Sequence, residues 1–196
     1  RSVGLTQIAP FTRGNRQENV IAEGQEPKPG EQVVVSNNRT ITPGFFDAMG
    51  TPILKGRSFR ASDGPGAPRV AIVDERFARH HWPNGEALGK RISPQGDTSA
   101  GHWRTIIGIV PNMRHSSLGE DPSLQVYESF AQQTAWATYM IVRSTREPRS
   151  LVSAIRAQVA AVDPEIPLYG VRTMEEAVSQ SLLTRRLTNG LLAAFA

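Results

Sequence analysis

Histidines are the residues of this sequence best suited to metal binding, and there are four of them. His80 and His81 are adjacent in a predicted helix, where successive side chains diverge by about 100°, so the two cannot easily ligate one ion. His102 and His115 fall in separate predicted loops without a carboxylate at ligand spacing. Because the usual zinc spacings and the H-E-x-x-H motif are missing, the sequence predicts no metal site and histidines that are exposed or half-buried.

Nucleophile and phosphate-binding patterns are incomplete as well. Ser116 and Ser117 follow His115, but sequence neighbours rarely form a catalytic triad, and the Gly-x-Ser-x-Gly elbow of hydrolases is absent. Segment 85–91 faintly resembles a phosphate-binding loop, but it lacks the spacing between glycines, the Ser or Thr after the lysine, and the preceding strand that such a loop needs. The sequence therefore predicts no catalytic residue and no cofactor-binding residue.

The paired carboxylates Asp74–Glu75 and Glu175–Glu176 stand where helices are predicted to begin. Helix capping and the helix dipole account for acidic residues at these positions without catalysis. The absence of cysteine excludes disulfides, thiolate-bound metals and thiol catalysis. Asn38-Arg39-Thr40 matches a glycosylation sequon, but a three-residue pattern arises so often by chance that it indicates nothing by itself. The residues favour a non-enzymatic domain.

Charge does not indicate nucleic-acid binding. The 22 basic and 18 acidic side chains give a net charge of +4, and the two signs alternate along most of the chain. Phe45, Phe46, Phe59 and Phe77 fall at predicted core positions, so no stacking platform for bases is evident. The middle of the chain is locally basic, which suits an acidic partner or lipid head groups, although nearby acids favour an ordinary solvated face. These basic residues are Lys55, Arg57, Arg60, Arg69, Arg76 and Arg79.

Strand patterns predominate in the first two thirds of the chain. Strands are predicted at residues 3–8, 33–41, 52–59 (extended), 70–73, 90–92, 103–110, 125–130 and 138–143, and a long Gly/Pro-rich turn separates the first two. Between residues 42 and 50 the sequence predicts a short helix with Thr42 as its N-cap, Pro43 in its first turn and Gly50 beyond its end. A second helix is predicted at 75–82, capped by Asp74.

The last third predicts two helices joined by a short strand at 168–171. Pro148 opens the first helix, whose stripe of Leu151, Ile155, Val159 and Val162 ends before Asp163-Pro164. A capping box at 173–176 opens the second. Together these elements predict an α+β fold in two interleaved lobes.

Four blocks of sequence, in order, resemble the MacB-like periplasmic core domain of FtsX-like ABC transporter permeases, and most of all the large duplicated permeases of acidobacteria. The first block is Thr42-Pro43-Gly44-Phe45-Phe46 with Met49-Gly50 and Pro52 to Arg57, and the second runs from Val70-Ala71-Ile72-Val73-Asp74-Glu75 through Trp82-Pro83 to Leu88-Gly89-Lys90-Arg91-Ile92. The third is Ile107-Gly108-Ile109-Val110 with Met113-Arg114-His115 and Val126-Tyr127, and the fourth runs from Ile141-Val142-Arg143 through Asp163-Pro164 to Thr173-Met174-Glu175 and Arg185-Arg186. The resemblance covers residues 40–196, with a looser likeness before residue 40.

The resemblance implies how the chain is organised. It implies a porter-like βαβ lobe from residues 1–42 and 137–186, a mixed α/β lobe from residues 43–136 inserted into it, and the start of a transmembrane helix at residues 187–196. It also implies a periplasmic location in a bacterial inner-membrane protein, no enzymatic activity and no cofactor.

The implied function is to transmit ATP-driven movement of membrane helices to the periplasmic side, for export or efflux. The implied partners are the transmembrane helices of the same chain, a cytoplasmic ABC ATPase, a second permease copy in a dimer, and a periplasmic adaptor or exported substrate, but no nucleic acid. The alternative is a module that binds a ligand or peptide in the cleft between the lobes.

Overall fold

The computed structural model describes residues 1–12, 14–28, 30–99, 101–115, 123–133 and 138–182. In chain order the strands are β1 (Ser2–Thr6), β2 (Gln17–Ala22), β3 (Val34–Ile41), β4 (Lys55–Gly56), β5 (Val70–Asp74), β6 (Arg91–Pro94), β7 (Arg104–Val110), β8 (Gln125–Ser129) and β9 (Tyr139–Arg143). The helices are α1 (Phe45–Met49), α2 (Glu75–His81), a 3-10 turn (Pro148–Leu151) that continues into α3 (Val152–Val162), and α4 at residues 174–182.

Six of the strands close into a barrel. The pairings run β2–β6–β7–β5–β8–β3, and β3 pairs again with β2, which completes the ring. The β3–β8 and β5–β7 pairs are parallel and the other four are antiparallel. Closure leaves these strands with no free edge, which removes the usual site of edge-to-edge association.

The interior of the barrel is filled by alternate side chains of its strands. One buried cluster joins Val20, Ala22, Ala71, Val73, Ile92, Ile106, Ile109 and Val126 with Phe77 and Ala78 of α2. Helix α2 therefore packs against this interior through the face that carries Phe77. Asp74 starts the helix, because its side chain accepts a hydrogen bond from the Phe77 amide at 2.8 Å.

A second core lies outside the barrel, under α1. Phe45 and Phe46 of α1 contact Tyr127, with Phe46 edge-on at a ring-centroid distance of 4.9 Å. Ile41, Phe59, Val70, Ile72 and Val110 complete this cluster. Two neighbouring rings on one short helix thus fix α1 against the outer face of β8.

Strands β1 and β9 form a two-stranded ribbon beside the barrel. They are antiparallel and in register along five residue pairs, from Ser2–Arg143 to Thr6–Tyr139. The ribbon joins the barrel sheet only at Thr6–Ile41 among the strand pairings of β1 and β3. Helix α1 fills the remaining space between ribbon and barrel.

The α+β prediction is confirmed, as are most of the predicted strands, α2 with its Asp74 cap, α3 and the capping box of α4. The predicted core positions Phe45, Phe46, Phe59 and Phe77 are all buried. The division of the chain into lobes at residues 42 and 137 stays a prediction, and the predicted start of a membrane helix at residues 187–196 lies outside the described residues. Strands β2 and β3, both from before residue 42, belong to the barrel ring with β6 and β8.

Four local predictions are wrong. Strand β2 was not expected, because its polar Gln17, Glu18 and Asn19 hide the strand pattern. The predicted extended stretch 52–59 forms a strand only at Lys55–Gly56, and residues 168–171 form no strand. The predicted N-cap Thr42 does not cap α1, because the N-cap residue is Gly44 and no side chain caps the helix.

Candidate functional site

The histidines do not form one site, because His81 and His102 have different partners. His81 lies in α2, where its ring packs on Phe77 at 4.6 Å and its Nδ1 is 2.9 Å from Oε1 of Gln25. His102 is half-buried, with its Nδ1 3.2 Å from a carboxylate oxygen of Asp97. Within the described ranges, no three His, Asp or Glu side chains are placed to hold a metal ion.

His115 and His81 correct the expectation of exposed or half-buried histidines, because they are 3% and 9% exposed. The Nε2 of His115 is 2.9 Å from the Tyr127 hydroxyl, so the pair forms one buried hydrogen bond. Burial lowers the pKa of His115 well below its usual value, and burial likewise lowers the pKa of His81 to about 4. Both imidazoles therefore act as neutral core groups at physiological pH.

The other candidate motifs are structural where they are described. Segment 85–91 is a turn leading into β6, and Glu176 accepts the Thr173 amide at 2.8 Å in the predicted capping box. The sequon residue Asn38 is fully buried in β3 and donates to Glu18 at 2.6 Å, so its side chain is inaccessible to glycosylation in the folded domain. Ser116 and Ser117 lie outside the described residues.

Three of the six basic residues named for the middle of the chain, Lys55, Arg57 and Arg79, form ion pairs with acids. Arg57 donates to both oxygens of Asp63, at 2.7 and 2.9 Å. This guanidinium lowers the pKa of Asp63, and the carboxylate raises the pKa of Arg57. Lys55 lies 3.5 Å from Glu86. These contacts favour the solvated face over a free anion-binding patch.

The polar end of the barrel holds a buried ion-pair network that the sequence patterns did not reveal. Glu128 of β8 is 1% exposed and lies 2.7 Å from Arg104 of β7 and 3.3 Å from Arg16, just before β2. Arg16 also lies 2.5 Å from Glu18. Burial raises the pKa of Glu128, and the two arginines oppose that shift. The network therefore ties three strands together inside the ring.

Arg39 is a second buried charge, on the outer face of β3. It pairs across the sheet with Tyr127 and donates from Nη1 to the Ile8 carbonyl at 3.0 Å. Burial lowers its pKa to about 10. Arg39 thereby fastens the segment after β1 over the barrel wall. In the sequence, these buried charges could have been suspected only because Arg39 and Glu128 are charged residues within predicted strands.

The ribbon, α1 and the barrel meet in one contact region, which we call the joint. It consists of Gly4 and Leu5 of β1, Thr42 and Gly44 before α1, and Arg143 of β9. Leu5 and Thr42 exchange two hydrogen bonds: the Leu5 amide donates to Oγ1 of Thr42 at 2.8 Å, and the Thr42 amide donates to the Leu5 carbonyl at 3.0 Å. Thr42 thus binds the ribbon, which explains why it does not cap α1.

The two glycines let the backbones of the joint approach closely. A Cβ on Gly4 would stand 2.3 Å from Cα of Phe45, and a Cβ on Gly44 would stand 2.2 Å from the Val3 carbonyl oxygen. From β9, Arg143 donates through Nε to the Ala48 carbonyl of α1 at 3.0 Å. Both strands of the ribbon therefore hold α1, which in turn packs on the barrel.

A shallow depression lies beside the end of β8. It has a volume of about 380 Å³ and is bordered by two loops, at residues 65–69 and 130–133. Arg69 and Gln133 contribute its polar lining, with Pro65 and Phe130 as apolar neighbours. Its size is within the range of small-molecule sites, but it is not the deep apolar cleft that ligand capture would favour.

Comparison with known proteins points to one family. The family model described as "MacB-like periplasmic core domain" matches residues 2–175. No curated protein sequence matches the chain. No helix in the described part of the chain is long and apolar enough to cross a membrane.

Solved structures with the same fold include three domains of transport proteins. The periplasmic region of MacB from Actinobacillus actinomycetemcomitans is 15% identical with a TM-score of 0.55, and the match covers 83% of this chain and 67% of that one. The extracellular domain of the noncanonic ABC-type transporter YknZ from Gram-positive bacteria is 13% identical with a TM-score of 0.55, covering 88% and 81%. A domain of a putative permease protein from Porphyromonas gingivalis is 18% identical with a TM-score of 0.52, covering 89% and 79%.

Proposed function

This chain belongs to the family of MacB-like periplasmic core domains, and on that premise we propose that it is the extracytoplasmic domain of an ABC transporter permease that transmits movement and catalyses no reaction. The proposal includes membrane helices joined to both ends of the domain, a cytoplasmic ABC ATPase, and a second permease copy. The domain would convert the ATP-driven displacement of those helices into work on the far side of the membrane, for export or efflux.

One observation carries this proposal: β1, at the N-terminal end, and β9, which leads into the C-terminal region, are paired along five residues. A displacement that enters through either end of the domain therefore acts on the same ribbon. Ser2 at the start of β1 pairs with Arg143 at the end of β9, so both connections leave the ribbon at the same end, and a movement common to both shifts the ribbon as a unit.

The joint supplies the next step of the transmission. Gly4 and Gly44 bring the ribbon into backbone contact with the start of α1, and Arg143 holds the end of α1. Because α1 is fixed to β8 by Phe45, Phe46 and Tyr127, movement of the ribbon is passed to the barrel.

Spin labels in the full-length permease, reconstituted with its ATPase, test the proposal. The 196-residue sequence contains no cysteine. A label at Val142→Cys therefore reports the position of the ribbon, and a label at Val35→Cys, exposed on β3, reports the position of the barrel. We expect the distance between the two copies to change with the nucleotide state at both positions. Unchanged distances at both positions in ATP-bound and nucleotide-free states would refute transmission.

Gly44→Ala tests the joint in the same preparation. The added methyl group collides with the Val3 carbonyl, so we expect the nucleotide-dependent change to persist at position 142 and to shrink at position 35. Gly85→Ala is the matched control, because a Cβ there meets nothing closer than 3.9 Å. An equal response in the two alanine variants would show that the joint does not transmit the movement.

The second candidate function is capture of a ligand or peptide, favoured by the depression at residues 65–69 and 130–133. Its lining of loop backbone, Arg69 and Gln133 suits a short peptide with an acidic end. Titration of the chain with acidic and neutral peptides, followed by NMR, distinguishes the two functions. Shifts confined to these loops for the acidic peptide alone would support capture.

A further inference from the structure

Strand β9 is the edge of the sheet, and it is an unprotected edge. It pairs with β1 along its whole length, and among the described strands none pairs with its other side. The edge strand β4 is different, because it has only two residues and one of them is Lys55. Short length and lysine are common protections against edge-to-edge association. Strand β9 has five residues and neither lysine nor proline.

The side chains of this edge are apolar and exposed. Tyr139, Met140 and Val142 are 43%, 40% and 38% exposed, and Val3, the register partner of Val142 on β1, is 54% exposed. A flat strand with free backbone groups and apolar side chains is a template for another extended strand. The sequence of β9 indicates which strand would pair with this edge.

We propose that β9 pairs with β9 of a second copy of this chain, antiparallel and about a two-fold axis at Ile141. This register uses all five residues of the strand. It places Met140 of one copy opposite Val142 of the other, and Tyr139 of one copy opposite Arg143 of the other. A two-fold interface presents the same patch on both copies, so such self-complementarity is what it requires.

The position of the charge supports this register. Arg143 is the single charged residue of β9, and in this pairing it meets an aromatic ring and not a second arginine. Its Nε is bonded to the Ala48 carbonyl, which holds the guanidinium on the α1 side of the ribbon. Tyr139 lies on that same side, because residues two apart in a strand share a face.

The pairing is weak between separate domains. It rests on the proposed function, in which two permease copies hold the domains close together. Five residue pairs bury much less than the roughly 1,200 Å² of a stable interface. Two permease copies held together in a membrane would raise the effective concentration to about the millimolar range, where such a contact forms. We therefore expect the separate 196-residue chain to be monomeric in dilute solution.

Disulfide trapping tests the register, because the chain contains no cysteine. The probes are Met140→Cys and Val142→Cys, purified separately and then oxidised alone or as an equal mixture at high concentration. Opposed residues in antiparallel strands have Cα atoms about 4.5–5.5 Å apart, within disulfide range, whereas like positions in this register are farther apart. We expect the mixture to form the 140–142 cross-link about tenfold faster than either variant cross-links with itself.

Two further variants complete the test. Val35→Cys, exposed on β3, measures the rate of random collision. Tyr139→Arg, added to both probes, places two arginines opposite each other and should reduce the mixed cross-link to that background rate. Circular dichroism checks that this exposed substitution leaves the fold intact.

Equal rates in the mixture and in the separate variants would overturn the pairing, as would a rate that Tyr139→Arg does not change. Loss of binding to phosphatidylcholine vesicles in Val142→Lys, without any register-specific cross-link, would also overturn it and assign the face to lipid. Either failure leaves the proposed function to be judged by the spin-label distances in the full-length permease. Conversely, cross-linking in the expected register stands even if those distances do not change.

Discussion

Gly4 lies directly against the backbone of Phe45, so that a Cβ at position 4 would stand 2.3 Å from Cα of Phe45. This contact joins the first strand of the chain to the helix that holds the outer core. No side chain, however small, fits between the two backbones without displacing one of them. The requirement for glycine is steric, because the backbone of Gly4 is in an ordinary strand conformation.

Gly4→Ala should therefore destabilise the domain by about 1–3 kcal/mol, the usual cost of overpacking. The free energy of unfolding is measured by urea denaturation of the 196-residue chain. Gly85→Ala is the control and should change stability much less, since its Cβ has room. A Gly4→Ala variant as stable as Gly85→Ala would contradict the close approach.

Arg104→Met should be far more costly than loss of an exposed ion pair. It leaves Glu128 buried with only the longer contact to Arg16, and breaking a buried pair typically costs about 3–5 kcal/mol. Arg79→Met removes the exposed Arg79–Glu75 contact, where about 0.3–0.5 kcal/mol is expected. Chemical denaturation of both variants makes the comparison.

Replacing both partners of the buried pair should restore much of the loss. Arg104→Met together with Glu128→Leu removes both charges from the interior, and apolar replacements of buried pairs are often neutral. If the double variant is no more stable than Arg104→Met, then the cost lies in the packing of the long side chains and not in the stranded carboxylate.

His81 should make the domain less stable in mild acid. Its pKa is about 4 in the folded state against 6.5 for the free side chain, so its contribution is present above pH 6.5 and is lost as the pH falls towards 4. At pH 5 we expect a loss of roughly 1–2 kcal/mol relative to pH 7.5. His81→Phe should show a smaller loss, whereas His80→Phe, at an exposed position, should follow the parent chain.

Asp74 should have the opposite dependence on pH. Burial raises the pKa of Asp74 to about 7, so its contribution is greatest below pH 3.8 and declines as the pH rises to 7. Asp74→Asn keeps an acceptor for the Phe77 amide and cannot ionise, so its stability relative to the parent chain should rise between pH 4 and pH 7. Thermal unfolding at several pH values measures this difference.

Asp74→Ala separates the cap from the charge. It also abolishes ionisation but loses the hydrogen bond to Phe77, so it should be about 1 kcal/mol less stable than Asp74→Asn at every pH tested. A gap between the two variants that changes with pH would show that the charge of Asp74 is not what determines its pH dependence.

Local signals in the sequence were reliable where a short segment determines its own structure. The valine-rich run before Asp74 and the capping residue itself predicted β5 and α2, and Gly50 ends α1 in the left-handed conformation that favours glycine. The stripe of Leu151, Ile155 and Val159 predicted α3, although no residue of that helix is fully buried. Periodicity predicts that a helix forms, but it does not reveal how completely its face is covered.

The predictions failed where distant segments decide the outcome. Strand β2 begins with the polar residues Gln17, Glu18 and Asn19, and Glu18 fits this strand because it meets Arg16 and Asn38 there. Thr42 precedes α1 as a good cap would, but the Leu5 amide, 37 residues away, takes its hydroxyl. Neither partner can be identified from a local window of sequence.

The sequence by itself determined the family, the α+β character, most of the strands and the absence of cysteine chemistry, because these depend on residue type and local order. Only the tertiary structure decided that six strands close into a ring, that Glu128 and His115 are buried, and that β1 and β9 share one ribbon with an open edge. The reason is physical: pairing, burial and close approach are properties of contacts between residues far apart in the chain, and a single sequence carries no direct record of which residues meet.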